Sequence, residues 1–469
     1  MAPKDYLRAR NDAASSGDES FCTRVDGLPY FPNLSVPSGS EANASAEERN
    51  ESIKTVVKHV ILFERQASLS SSLDLSSWSV TPVTGGNTNQ LFCVSGIRCR
   101  NNDNRDSPSS SSSIRFPNDS LLVRLFGAEG MVDRDQESST YAALASQKLA
   151  LPYYGRFGNG RVEEMLVGWK TLTERDLMGV AAANDGNSVL LPPEDLRETI
   201  ARRLGKLHGS FRLPPHLLGG TKEEEKQQEP TLWTQLYPWL EKALAADLGT
   251  DPAVVEALAK IDPPLAELKK EIDWLKSDVI GSSDDGGENS SNKNNNSIGF
   301  CHNDLLASNI MMLTEDPNPP AAENNGATRE TTKQHLLLKG LRFIDFEYGG
   351  INYYAYDIAN HFNEYAGGTT HEDNYTPDYD RCPNKEQQRA FVEAYAEEYN
   401  ASTNNDASAT ITVEELAEKI DGFVLANHLV WGLWGFLTAA LEECDHPLDY
   451  LNYCKCRFRE YKTVKAEKY

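Results

Sequence analysis

Cysteine and positive charge are both scarce in this chain of 469 residues. Its eight cysteines (Cys22, Cys93, Cys99, Cys301, Cys382, Cys444, Cys454 and Cys456) are scattered, without the density or spacing of a disulfide framework, which predicts reduced thiols in an intracellular protein. Cys454 and Cys456 stand close enough to share a zinc ion, but no second pair lies nearby. Lysine and arginine number 46 against 70 aspartates and glutamates. The formal net charge of −24 disfavours phosphate backbones and anionic lipid, so no nucleic acid partner is expected. The N-terminus lacks the apolar run of a signal peptide, and a cytoplasmic location is the expectation. No internal repeat is visible. Only Phe423 to Leu441, FVLANHLVWGLWGFLTAAL, is apolar for long enough to cross a bilayer. It carries Asn427 and His428 and is flanked by acidic residues, so we expect a buried helix and no membrane span.

Several stretches have little apolar surface to bury and are expected to be disordered: the N-terminal segment 1–52, Asn101 to Ser113, and an insert at about 281–297. Glu315 to Gln334 reads as a long hairpin loop. Between them, SWSVTPV, the segment ending near Ile97, SLLVRLFG, LPYYGRF and RVEEMLV read as five strands, with a helix from about Asp133 to Leu149. From Pro192 the period changes. Leu196, Ile200, Leu204, Leu207 and Phe211 recur at helical spacing after a Pro-Pro start. Further helices are expected around Leu232–Leu248, Pro264–Lys276, Lys385–Tyr399, Val413–Leu441 and Leu448–Val464. The result is an α+β chain with a small β-rich N-lobe over 53–168 and a helical C-lobe over 169–469.

The sharpest chemical signal is CHNDLLASNIMML, in which His302, Asp304 and Asn309 have the order and spacing of a phosphotransfer loop. A carboxylate must orient the attacking hydroxyl and accept its proton, and an amide oxygen five positions on can reach a metal on the phosphates. In LRFIDFEYGG, Asp345 ends an apolar strand and reads as a Mg²⁺ ligand alongside Asn309. Upstream, TGGNTNQLF supplies Gly85 and Gly86 for close backbone approach to phosphate, with Asn87, Thr88 and Asn89 as short polar donors. In VRLFG, Arg124 reads as the fixed charge for the ATP phosphates, with Glu137 on the next helix as the partner that holds it.

Taken together, TGGNTNQLF, LLVRLFG, DRDQE, GRVEEML, LGKLHG, FCHNDLLASNIM, FIDFEYGGINYYAYDIANHFNEYAG and NHLVWGLWGFL resemble the choline/ethanolamine kinase family, from about Leu73 to Lys462. The resemblance implies a two-lobed protein-kinase-like fold, ATP and Mg²⁺ as cofactors, and phosphorylation of ethanolamine or choline in phospholipid biosynthesis. HFNEYAG resembles the ethanolamine branch. Asn87 departs from the family's usual apolar residue, and Ala307 and Ser308 also vary, without removing a chemical group. For the cationic headgroup the resemblance implies Asp304 and Glu364 as anions and Tyr348, Tyr365, Trp431 and Trp434 as ring faces. Trp431 and Trp434 are three apart and share a helix face, a spacing that core packing also produces. The purine is expected near Glu164, Met165, Leu166 and Val167, while Asp357 and His361 brace the loops and His428 is a satisfied core histidine. The competing readings are a choline or dual-specificity kinase, a catalytically inactive kinase-like scaffold, and phosphorylation of an antibiotic or a protein. A homodimer is compatible with the resemblance.

Overall fold

Ile53, Val56, Val57, Val60 and Ile61 recur at i, i+3, i+4 spacing. In the computed structural model they form the buried face of a helix packed on a sheet. The structure describes residues 4–16, 18, 21–37, 45–64, 73–83, 89–97, 119–127, 132–179, 192–217, 229–281, 298–313, 340–370, 373–403, 409–441 and 444–469. They fall into two compact units. The first comprises Met1–Trp169 with short pieces at Leu213–Gly219 and Glu315–Pro317, and the remainder forms the second.

The first unit holds α1 (Lys4–Ser16), β1 (Thr23–Val25), β2 (Leu28–Phe31), α2 (Ala46–Glu64), β3 (Ser79–Val83), β4 (Gln90–Ser95), β5 (Ser120–Leu125), α3 (Arg134–Ser146), β6 (Tyr153–Phe157) and β7 (Gly160–Glu164). Its sheet runs in the order β1-β2-β6-β7-β5-β4-β3. All five expected strands are present, and β1 and β2 extend them on one edge, β2 pairing in parallel with β6 (Tyr30 opposite Arg156). Val94, Leu121, Val123, Phe157 and Val162 meet the apolar face of α2 in one core. Burying each such side chain contributes about 1.5–3 kcal/mol.

The expectation of disorder before residue 52 is corrected here. Residues 4–16 are helical, 23–31 form a hairpin, and α2 begins at Ala46. The strands are too short to show a period. Among the described side chains α1 buries Ala9 and Ala13, small side chains that leave no visible apolar stripe. Ala9 packs with Val25 and Tyr30 of the hairpin, and the two elements are tied to residues more than a hundred positions on, Arg10 to Asp135 and β2 to β6, which no local window contains. The stretches 101–113, 282–297 and 315–334 lie outside the described residues.

The second unit contains β8 (Trp169–Thr171, whose first residue closes the first unit), α4 (Glu174–Met178), α5 (Pro193–Ser210), α6 (Thr231–Ala245), α7 (Pro252–Leu258) and α8 (Leu265–Trp274). These are followed by β9 (Ile298–Cys301), β10 (Ile310–Leu313), β11 (Leu341–Phe343), β12 (Gly350–Tyr353), α9 (Tyr354–Asn363), α10 (Lys385–Ser402), α11 (Val413–Ala439) and α12 (Pro447–Lys468). Capping boxes start three of the helices, Thr173 with Asp176 on α4, Asn384 with Gln387 on α10 and Thr412 with Glu415 on α11, each satisfying backbone N–H groups that the first turn leaves without partners. Among the described residues α11 is the one helix long and apolar enough to cross a bilayer. It is mostly buried within the unit, packed by α6, α9 and α12, so its apolar surface is covered by protein.

Candidate active site

The HND segment leaves β9 where that strand pairs with β12, Cys301 opposite Gly350. Asn303 follows at φ +66° and Asp345 lies at φ +61°, left-handed conformations that Asn and Asp tolerate better than most side chains. Asp357, fully buried on α9, holds the turn: its two oxygens accept the backbone N–H of His302 (2.8 Å) and of Asn303 (2.7 Å). His208 Nε2 sits 3.0 Å from the same carboxylate, and His208 Nδ1 lies 2.8 Å from the Tyr395 hydroxyl. Burial alone would raise the Asp357 pKa, but the His208 hydrogen bond, the nearby imidazoles and the backbone donors bring it below the ordinary carboxylate value. Gly205 and Gly209 make this possible: a Cβ at either would stand 2.5 Å from Tyr395 O or 2.7 Å from the Ser402 side chain, so α5 reaches α10 only with glycine there.

Two buried histidines complete the support. His302 Nε2 donates to Ile344 O (2.9 Å), tying the loop to the residue before Asp345, and His361 Nδ1 donates to Leu305 O (2.9 Å). Burial lowers both pKa values, that of His361 to about 4, so both rings are neutral and act as fixed struts. Asp357 and His361 thus brace the loop, the role their sequence context implied.

The antiparallel β10–β11 pair, Ile310 opposite Phe343, places Asn309 and Asp345 at one end of the ladder, where Ile344 N–H donates to Asn309 O (3.0 Å). Asn309 Nδ2 donates to the backbone oxygen (2.8 Å) and to Oδ2 (3.1 Å) of Asp304. Its amide nitrogen is thereby engaged and its oxygen faces elsewhere. Burial, then the charges of Glu364, Glu347 and Asp345, hold the Asp304 carboxyl well above the usual carboxylate range, with the Asn309 hydrogen bond opposing only in part. These three charges are all carboxylates. The donors of the site are carboxylate and amide oxygens, which suit a hard divalent cation, and the same field suits an organic ammonium.

Beside Asp304, Tyr348 meets Trp431 edge to face (centroids 5.4 Å, 78°), and Trp431 meets Trp434 (5.8 Å, 73°). Trp431 Nε1 donates to Asn360 Oδ1 (2.8 Å), which also accepts from Asn427 (2.7 Å), so the indole is fixed by α9. Tyr450 and Tyr453 of α12, which the sequence reading passed over, flank Trp434 at 5.8 and 6.0 Å. Two expectations need correction. Tyr365 is buried with its ring packed on His361 (5.4 Å), and among the described residues it makes no ring pair with Tyr348 or the tryptophans. Glu364 does not offer a bare anion, because Arg457 Nη2 donates to its Oε1 at 2.5 Å with both groups buried. His428 is a core histidine, but its Nδ1 lacks a hydrogen-bond partner among the described residues.

In the first unit, Gly85, Gly86, Asn87 and Thr88 lie outside the described residues. Asn89 is buried, and its Oδ1 accepts the Gly127 N–H (3.3 Å). Arg124 is buried on β5 and donates Nε to Glu163 Oε1 (3.0 Å). Glu137 accepts from Arg134 (2.9 Å) and from Arg161 (2.6 Å), and Arg161 Nε also reaches Glu163 (2.5 Å). Glu163 is thus a hydrogen-bond partner of Arg124 that sequence reading missed, while Glu137 lies near enough for the Arg124 charge to help lower its pKa. The signal for Glu163 is the alternation in GRVEE, which puts Arg161 and Glu163 on one face of β7, with Arg161 opposite Arg124. Burial opposes the charge on Glu163, but Arg161 and Arg124 lower its pKa from 4.5 to about 2. Its stabilising contribution is therefore complete above pH 4.5 and lost as the pH falls towards 2. We expect Glu163→Gln to flatten the acid limb of stability across that window, measured by urea unfolding at stepped pH; an unchanged limb refutes the coupling. Glu164 ends β7 and hydrogen-bonds Tyr154, while Met165, Leu166 and the exposed Val167 lead out of the strand.

A family model described as choline/ethanolamine kinase matches residues 80–462. Two Arabidopsis thaliana proteins, a probable choline kinase and a probable ethanolamine kinase, are each 29% identical to the chain, over 84% of its length and 87% and 81% of theirs. Among solved structures, an ethanolamine kinase from Plasmodium vivax is similar, with a TM-score of 0.59 at 22% identity, covering 91% of this chain and 93% of that one.

Proposed function

Because the chain belongs to the choline/ethanolamine kinase family and is a phosphotransferase, we propose that it moves the γ-phosphoryl group of ATP onto the hydroxyl of ethanolamine. The observation that carries this reading is the crowding of Asp304 by Glu364, Glu347 and Asp345 next to a wall of indole and phenol rings. Such a place favours a small cationic alcohol. Asp304 aligns the hydroxyl and takes its proton, while the bracing by Asp357 and Asn309 fixes the carboxylate before substrate arrives, so little reorganisation is needed. Asp345 and the Asn309 oxygen are the groups to hold magnesium, which when bound neutralises charge on the phosphates. In the first unit, Gly85 to Asn89 and Arg124 are assigned to the nucleotide phosphates and Glu164 to Val167 to the purine.

The relatives named for choline and for ethanolamine are equally similar, so the preference for ethanolamine rests on HFNEYAG at 361–367. ATP consumption measured across ethanolamine, its mono- and dimethyl forms and choline tests it. We expect kcat/KM to fall with each methyl group, to at least about tenfold lower for choline, ~1.4 kcal/mol of discrimination. A maximum at choline reverses the assignment. No turnover with any of the four supports the inactive scaffold.

A further inference from the structure

The helix α1 and the β1–β2 hairpin precede the region that matches the family, yet they are fastened to the first turn of α3. Arg10 Nη2 donates to Asp135 Oδ1 at 2.8 Å, and Arg10 Nε donates to the Tyr30 hydroxyl at 3.2 Å. Asp135 is almost wholly buried and also accepts from Arg156 Nη2 (2.8 Å), whereas the Arg10 side chain is 44% exposed. Four residues on, Ser139 Oγ donates to Asp26 Oδ2 (2.6 Å) in the β1–β2 turn. Asn33 Nδ2 binds Ala13 O (3.2 Å) and Asp18 O (2.7 Å), tying the end of α1 and the residue just beyond it to the same hairpin. Both anchors are made by side chains, on the start and on the middle of one short helix.

That helix also carries Glu137. From Glu137 the ion pairs continue through Arg161 and Glu163 to Arg124. Buried Arg124, Arg134, Arg156 and Arg161 lie among buried Asp135, Glu137 and Glu163, and α3 supplies two of these three carboxylates. Displacing one member of a buried ion pair leaves the other uncompensated, so the placement of these guanidinium groups depends on where α3 is held.

We propose that the N-terminal segment is a strap for the nucleotide site, with Arg10 and Asp26 acting as positioning residues that fix α3 and, through Glu137, Arg161 and Glu163, set the placement of Arg124. This rests on the assignment of Arg124 to nucleotide phosphate made above. Because neither Arg10 nor Asp26 belongs to the second unit, which holds Asp304 and the aromatic wall, the strap acts on nucleotide and leaves the alcohol alone.

Steady-state kinetics of the full chain, Arg10→Ala, Arg10→Lys and Arg10→Ala combined with Asp26→Asn test this. KM for ATP is expected to rise about fivefold in Arg10→Ala, equivalent to ~1 kcal/mol, further in the double variant, and to recover in part with lysine. KM for ethanolamine is expected to stay within about twofold. An unchanged KM for ATP, or a parallel shift of both KM values tracking a fall in Tm, overturns the strap. Calorimetry with ADP and magnesium on the same proteins separates this from the function itself. If the unaltered chain phosphorylates no amino alcohol, the functional reading fails, while a weaker nucleotide affinity in Arg10→Ala still upholds the strap and equal affinities refute it.

Discussion

Asp304→Asn is expected to lower kcat by about 10²–10⁴-fold, the range that a positioned general base supplies, while leaving the fold intact. The amide keeps the volume of the side chain and can still accept from Asn309 Nδ2, but it cannot take a proton from the attacking hydroxyl. A second consequence follows from the crowding of carboxylates. Asp304 is held among Glu364, Glu347 and Asp345, so at neutral pH, without divalent cation, it weakens the folded state. Removing its charge should therefore raise the Tm of the cation-free protein even as turnover collapses. The two readouts move in opposite directions, as expected where a site accepts electrostatic strain for function. Turnover close to that of the parent would end the assignment of Asp304. A lower Tm would show that the carboxylate is a structural anchor and its neighbours no burden.

Asp357→Asn should lose both activity and stability. Aspartate offers two acceptor oxygens to two backbone N–H groups and to His208, whereas asparagine keeps one acceptor and turns an NH₂ towards a donor. Breaking a buried charged contact of this kind costs about 3–5 kcal/mol, visible as a lower urea midpoint at constant m. The freed His302–Asn303 backbone no longer fixes Asp304, and kcat should fall roughly 10²-fold, what misplacement by about 1 Å costs. Because Asp357 touches no substrate in this reading, KM for ethanolamine should move little. A large change in KM with kcat preserved would relocate Asp357 to the pocket wall.

How much of this was legible beforehand differs between the two units for a physical reason. Asp304, Asn309 and Asp345 lie next to apolar strands whose pairing is nearly forced, so motif and register agree, and the loop geometry follows from the chain order. Arg457 lies 93 residues beyond Glu364 on another helix, and nothing near either one announces their pairing. Tyr365 was read as a ring face from the resemblance to the family; it lies in a single 3₁₀ turn, where consecutive side chains point in different directions, and its ring goes to His361. The nucleotide cluster shows the same limit. Glu137, which opens the following helix, was legible as a group near Arg124, but the hydrogen bond from Arg124 to Glu163 is set by strand pairing and was not. In α1 and the first hairpin, alanines and short strands carry no periodic pattern; they pack on one another through Ala9, Val25 and Tyr30 and are fastened to residues more than a hundred positions on.

The parallel pairing of β2 with β6 has a consequence for synthesis on the ribosome. Phe31 must wait for Phe157, 126 residues later, before its strand gains a neighbour on that side. At roughly 5–20 residues per second, the growing polypeptide carries an open sheet edge for on the order of ten seconds. During that interval the segment LPYF is available to chaperones and to misassembly with other nascent chains, so a slower elongation rate between codons 32 and 157 should lower the yield of soluble enzyme more than the same delay placed after codon 169.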